Sequence, residues 1–105
     1  MAYELIITKR ADELLDNLLY HIIFRLKNEQ AASHLLNSIE KIYDRMIMNP
    51  FQFAVCRDNY LQMRGYREAV LPDMDYVLIY SVDREKAIIY VLGIFHVLES
   101  YGDKL

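Results

Sequence analysis

The sequence is poor in the residues that staple or punctuate a chain, with one cysteine, two prolines, three glycines and no tryptophan in 105 residues. A lone thiol, Cys56, closes no internal disulfide, and no Cys/His group has the spacing of a zinc site, so no metal or other cofactor is expected and a reducing, cytoplasmic setting fits. The scarcity of Gly and Pro, with no stretch rich in Ser or Gln, excludes a flexible linker and predicts order nearly end to end. Apolar runs fall far short of the roughly 20 residues that span a bilayer, and the opening MAYELIITKR lacks the layout of a signal peptide, so no membrane association is expected. A positive surplus is missing too. Twelve Lys and Arg against 15 Asp and Glu give a formal charge of -3, which argues against gripping nucleic acid through a general electrostatic field. Any RNA contact must be local.

What is abundant is apolar and aromatic: 54% of the residues are hydrophobic, and nine are tyrosines. That content supports one core, and residues 1–105 read as a single domain. It also leaves apolar area on the surface, where such patches mark partner sites. Residues 3–8 are β-branched and aromatic and end at a candidate helix cap, Thr8. From Lys9, the apolar positions Ala11, Leu15, Leu18, Ile22 and Leu26 recur at helical spacing to about Lys27. Asn28 caps a second helix, whose stripe of Leu35, Leu36, Ile39, Ile42, Tyr43 and Met46 runs to the Asn49-Pro50 stop. Two helices with almost no loop between them should form an antiparallel hairpin.

Residues 51–65 show no clean period and read as an ordered loop with a turn of helix. Beyond Gly65 come three short β-type runs, 66–71, 76–82 and 86–95, joined by tight turns as in an antiparallel meander. The last run is apolar on both faces, as a central, doubly covered strand would be. The expected fold is α+β: a mainly antiparallel four-stranded sheet with the N-terminal helical hairpin on one face, in the order β-α-α-β-β-β.

The strings Gly65-Tyr66-Arg67-Glu68, Asp75-Tyr76-Val77-Leu78-Ile79-Tyr80-Ser81-Val82-Asp83 and Ile88-Ile89-Tyr90-Val91-Leu92-Gly93-Ile94-Phe95-His96 resemble the C-terminal half of RelE/ParE toxins. The entry Thr8-Lys9-Arg10-Ala11 and the exit Asn49-Pro50 extend the resemblance over nearly the whole chain. It implies the toxin of a type II toxin–antitoxin system, of the kind also called plasmid stabilisation proteins, neutralised by a cognate antitoxin. RelE-like members are ribosome-dependent mRNA endoribonucleases, whereas ParE-like members poison DNA gyrase by binding. The nuclease reading comes first and adds the ribosome and mRNA as partners; a ParE-like toxin acting by binding, or an inactive homologue that only binds antitoxin, is the alternative. Nuclease members commonly carry Arg where this chain has Val77, and cations where it has Val97 to Tyr101.

Metal-independent RNA cleavage needs a base for the 2′-hydroxyl, a cation for the developing phosphate charge and an acid for the leaving oxygen. By the resemblance, Arg67 is the expected phosphate contact, with an exposed arginine pairing with Glu68 or Asp75 as the structural alternative. His96, at the family's strand-end position, is of the residue type suited to proton transfer near neutral pH. Tyr101 is the expected third catalytic member, Glu99 a candidate base, and Arg64, Arg57 and Tyr80 the expected RNA contacts. His21 and His34 read as surface or core-edge residues of the helices, Cys56 as an inert thiol, and Met46 and Met48 as core filler.

Overall fold

The computed structural model describes residues 2–105. Strand β1 (Glu4–Ile7) leads into helix α1 (Lys9–Tyr20). Thr8 joins the two: its Oγ1 accepts from the Ala11 amide at 3.2 Å and donates to the Val91 carbonyl at 2.8 Å, so the helix cap is also a tie to the sheet. The first helix does not run regularly to Lys27. It widens into a π-helical turn over His21–Arg25, closed by the Leu26 amide donating to the His21 carbonyl, and Lys27 then takes a left-handed conformation (φ 50°) that ends it. Asn28 caps helix α2 (Glu29–Met48) through the Ala31 amide, and Asn49-Pro50 stops it as expected.

The helical turn expected inside 51–65 is α3 (Asn59–Met63), capped by Asp58 and terminated by Gly65 at φ +77°. Strands β2 (Arg67–Val70), β3 (Tyr76–Asp83) and β4 (Ile88–His96) complete a sheet of order β1-β4-β3-β2. The meander is antiparallel, and β1 alone pairs parallel, against β4. β4 is therefore central, as its two-sided apolar run required. Its pairing slips where Ile79 faces Gly93 but Tyr80 faces Val91, which leaves Leu92 as the extra residue of a bulge. A Cβ on Gly93 would stand 2.7 Å from the Phe95 ring, so the bulge admits only glycine without moving that ring.

Alternation divides the sheet between two cores. On one side Ala69, Leu78, Tyr80, Ile89 and Val91 pack under Ala11, Ile22, Leu35, Ile39, Ile42 and Met46 of the helical hairpin. Ala11 and Leu15 of α1 and Ile39 and Tyr43 of α2 share one residual cavity of about 10 Å³, too small to hold more than a single water. On the other side Val77, Ile79 and Phe95 are covered by Cys56, Leu61 and Tyr101, supplied by the loop before β2 and by the C-terminal tail. The tail closes in a 3-10 turn, Gly102–Lys104. Sequence periodicity predicts a single helix-covered face; the second cover is irregular chain and leaves no periodic trace. No helix among the described residues is long and apolar enough to cross a membrane.

Candidate functional site

Alternation along β3 and β4 decides where the candidate side chains lie. Arg67 stands opposite Tyr80 in the β2–β3 register, and both serve the segment that follows α2. The Tyr80 hydroxyl donates to the Pro50 carbonyl at 2.6 Å, and its ring meets Phe53 edge-on at 6.2 Å. Arg67 Nη1 donates to the Phe53 carbonyl at 2.7 Å and the Phe51 carbonyl at 3.5 Å, with its guanidinium 5.1 Å over the Phe51 ring. Burial pushes the Tyr80 phenol up to about 12, against the opposing influence of Arg67 and with that of Cys56 added. Tyr80 is wholly inaccessible to solvent, which corrects its expected role as an RNA contact: it has no surface to stack a base on. Arg67 pairs with neither Glu68 nor Asp75; it is a clamp on the 50–53 segment.

His96 lies at the far end of the sheet, opposite Tyr76, their rings 5.8 Å apart and edge-to-face. The Leu98 amide donates to its Nδ1 at 3.1 Å, which assigns the proton of the neutral ring to Nε2. The ring borders a groove of about 300 Å³ with Leu14, Leu18, His21 and Tyr76. Glu99 borders the same groove, but both of its oxygens are engaged: Oε1 accepts from the His96 amide at 2.7 Å and Oε2 from Lys104 Nζ. Burial pushes this carboxyl up, but the Lys104 ammonium and the His96 amide outweigh it and hold it below the ordinary value. A carboxylate so stabilised is a poor proton acceptor.

Arg57 and Tyr101 line a separate groove of about 370 Å³ together with Asp58, Val97, Glu99 and Ser100. Arg57 is three-quarters exposed; its Nε lies 3.4 Å from Glu68 Oε2, while its amide donates to Glu68 Oε1 at 2.6 Å. Tyr101 is buried, its ring stacked on Phe95 at 5.4 Å, and burial raises its phenol further from the neutral range. Arg64, beyond α3, is exposed and bound by its neighbours: Nε donates to the Tyr66 hydroxyl and Nη1 to that of Tyr60. Cys56 is fully buried, and desolvation, with Glu68 and Asp58 adding to it, pushes its thiol up to about 12, the state of an inert thiol.

The expected pair Arg67 and His96 does not converge. Their partners on β3, Tyr80 and Tyr76, are four residues apart, and β2 and β4 flank β3 on either side. The backbones are therefore offset by roughly 13 Å along the strand and about 10 Å across it. Val77, where nuclease members carry arginine, is 1% exposed and belongs to the second core. Sequence reasoning names Glu68 only as a partner for Arg67, whereas it is a buried carboxylate that organises Arg57. Among the described residues no three His, Cys, Asp or Glu side chains gather so as to hold a metal ion.

Residues 5–101 match the family described as ParE toxin of type II toxin–antitoxin system, parDE. No curated protein matches the chain in sequence. Among solved structures, a chain of the chromosomal ParDE toxin–antitoxin system from P. aeruginosa superposes with a TM-score of 0.71 at 19% identity, over 90% of this chain and 96% of its own. A doubly substituted E. coli RelE toxin in the free state gives 0.67 at 20% identity, over 99% and 93% of the two chains. The RelBE2 toxin–antitoxin complex from Mycobacterium tuberculosis gives 0.59 at 16% identity, over 91% and 99%. At such identities these likenesses speak for the fold alone.

Proposed function

Because the chain belongs to the ParE toxin family of type II toxin–antitoxin systems, matched from residue 5 to residue 101, we propose that it acts by binding its target, as an inhibitor of the DNA gyrase type, and is held in check by a partner antitoxin. The observation that carries this reading is the separation of Arg67 from His96. General acid–base help and phosphate stabilisation act on one reacting phosphate, so the groups that supply them must converge within hydrogen-bond reach of it. Here the arginine is tied to the Phe51 and Phe53 carbonyls and the histidine stands at the other end of the sheet. A binding toxin has no such requirement. It needs exposed surface of defined shape, and Tyr60, Met63 and Leu98 supply apolar surface on and beside the second cover. The net charge of -3 fits a protein target better than an RNA.

Inducible expression with plasmid topology and mRNA integrity read together tests the proposal. The expected result is growth arrest with altered supercoiling and intact mRNA, retained in His96→Ala. Cleaved mRNA that disappears in His96→Ala would sink the binding reading and restore the nuclease.

A further inference from the structure

Apart from the two grooves near His96, a depression of about 360 Å³ opens where the start of α1 meets the C-terminal turn, lined by Thr8, Arg10, Tyr66, Leu92, Lys104 and Leu105. Its walls are apolar. Tyr66, Leu92 and Leu105 are half-buried there and rest on the second core, and Leu92 is the bulge residue of β4, the kind of irregularity that re-aims a side chain. Of the polar groups of its floor, only the Tyr66 O–H is left without an acceptor. The Thr8 hydroxyl both donates to the Val91 carbonyl and accepts from the Ala11 amide, and the Tyr66 hydroxyl accepts from Arg64.

Charge is confined to the rim. Arg64 lies 5.3 Å over the Tyr66 ring, and Lys104 is paired with Glu99. Arg10 is exposed, and no carboxylate among the described residues lies within ion-pair distance of it. Beside this rim Glu99 is already engaged, and Asp103 is exposed.

The geometry points to this depression as the anchor site for a segment of the partner antitoxin, one that seats an apolar side chain on Tyr66, Leu92 and Leu105 and sets an adjacent carboxylate against Arg10. The inference rests on the reading of the chain as an antitoxin-bound toxin and names where and by what chemistry that partner is held. A small cofactor is a poorer occupant, because such sites carry several convergent polar groups and this floor has only the Tyr66 O–H free. An apolar pocket with a cationic rim is instead the layout of a peptide anchor, in which burial gives affinity and the rim charge gives orientation and association rate.

The test uses the full chain and the product of the adjacent reading frame, titrated by calorimetry at low and at high salt. Arg10→Glu, at an exposed position that spares the fold, should weaken binding about tenfold or more and remove part of its salt dependence. Leu105→Asp, which puts a charge in the apolar wall, should weaken it comparably, with circular dichroism confirming that the fold is retained. Arg25→Glu, at the hairpin turn, should bind as the wild type does. Wild-type affinity in both pocket variants, or a loss confined to Arg25→Glu, overturns the anchor site while leaving the antitoxin reading intact. An adjacent product that does not bind the wild-type chain at all overturns both.

Discussion

Tyr80 and Val77 lie on one strand but face opposite cores, and each shows how a residue singled out by family pattern takes its role from burial. The Tyr80 hydroxyl satisfies the buried Pro50 carbonyl. Tyr80→Phe keeps the ring against Phe53 but orphans that oxygen, so it should cost about 1–2 kcal/mol and lower Tm by several degrees in calorimetry. Loss of toxicity without loss of stability would instead assign the hydroxyl a functional contact. Val77 has no solvent path, and the buried carboxylate on its face, Glu68 opposite Ile79, is already engaged by Arg57. Val77→Arg should therefore destabilise by about 4 kcal/mol or more and yield little folded chain, rather than restore a nuclease. A native urea midpoint in that variant would show that the second core opens to admit the guanidinium. Composition and spacing foretell that both side chains sit in a sheet. They cannot foretell which of two covered faces each one meets, because a second cover of loop and tail has no period.

At the level of elements, the segments with strong period or strong punctuation were legible: the Thr8 and Asn28 caps, the Asn49-Pro50 stop and the three-strand meander all stand where the residues put them. The π-turn was not, because Ile22 and Leu26 continue the helical stripe while the hydrogen bonding slips beneath it. Nor was the tail, which holds by contacts rather than by pattern: Tyr101 stacks on Phe95, and Glu99 bridges the His96 amide to Lys104. That latch is pH-sensitive. Burial alone would raise the Glu99 carboxyl, but Lys104 and the His96 amide outweigh it, so its folded value lies below its unfolded one. Its stabilising contribution is thus present above the unfolded value of about 4.3 and is lost as the pH falls through the lower folded value. Because the carboxylate is one-third exposed, salt screens the contribution and keeps it local. Protection factors for amide exchange in residues 97–105 should fall on acidification ahead of those of the sheet, and Glu99→Gln should remove that acid step. Protection that falls uniformly through β4 and tail would show that the two open as one unit.

For the whole molecule, building a core on each side of one sheet buries ionisable groups in their neutral forms. Tyr43 is pushed up to about 12 by burial, with Asp12 adding to it. Cys56 and Tyr80 are also pushed up to about 12, burial again coming first. In the unfolded chain the thiol releases its proton near 8.5 and the phenols near 10, so through the alkaline range the folded state binds more protons than the unfolded one. Stability must then fall as the pH rises, fully present below the unfolded values and lost progressively toward about 12. The combined loss is on the order of several kcal/mol by about pH 11, comparable with the whole stability of an ordinary domain. Urea midpoints measured from neutral to alkaline pH should therefore slope downward before any arginine titrates. Tyr43→Phe, which removes a hydroxyl from the helix-side core, should flatten part of that slope. Cys56→Ala should flatten the part that begins earliest, after its own cavity cost is subtracted at neutral pH. A midpoint indifferent to pH in the wild type would mean that these three groups reach water in the folded state, and that neither core is closed.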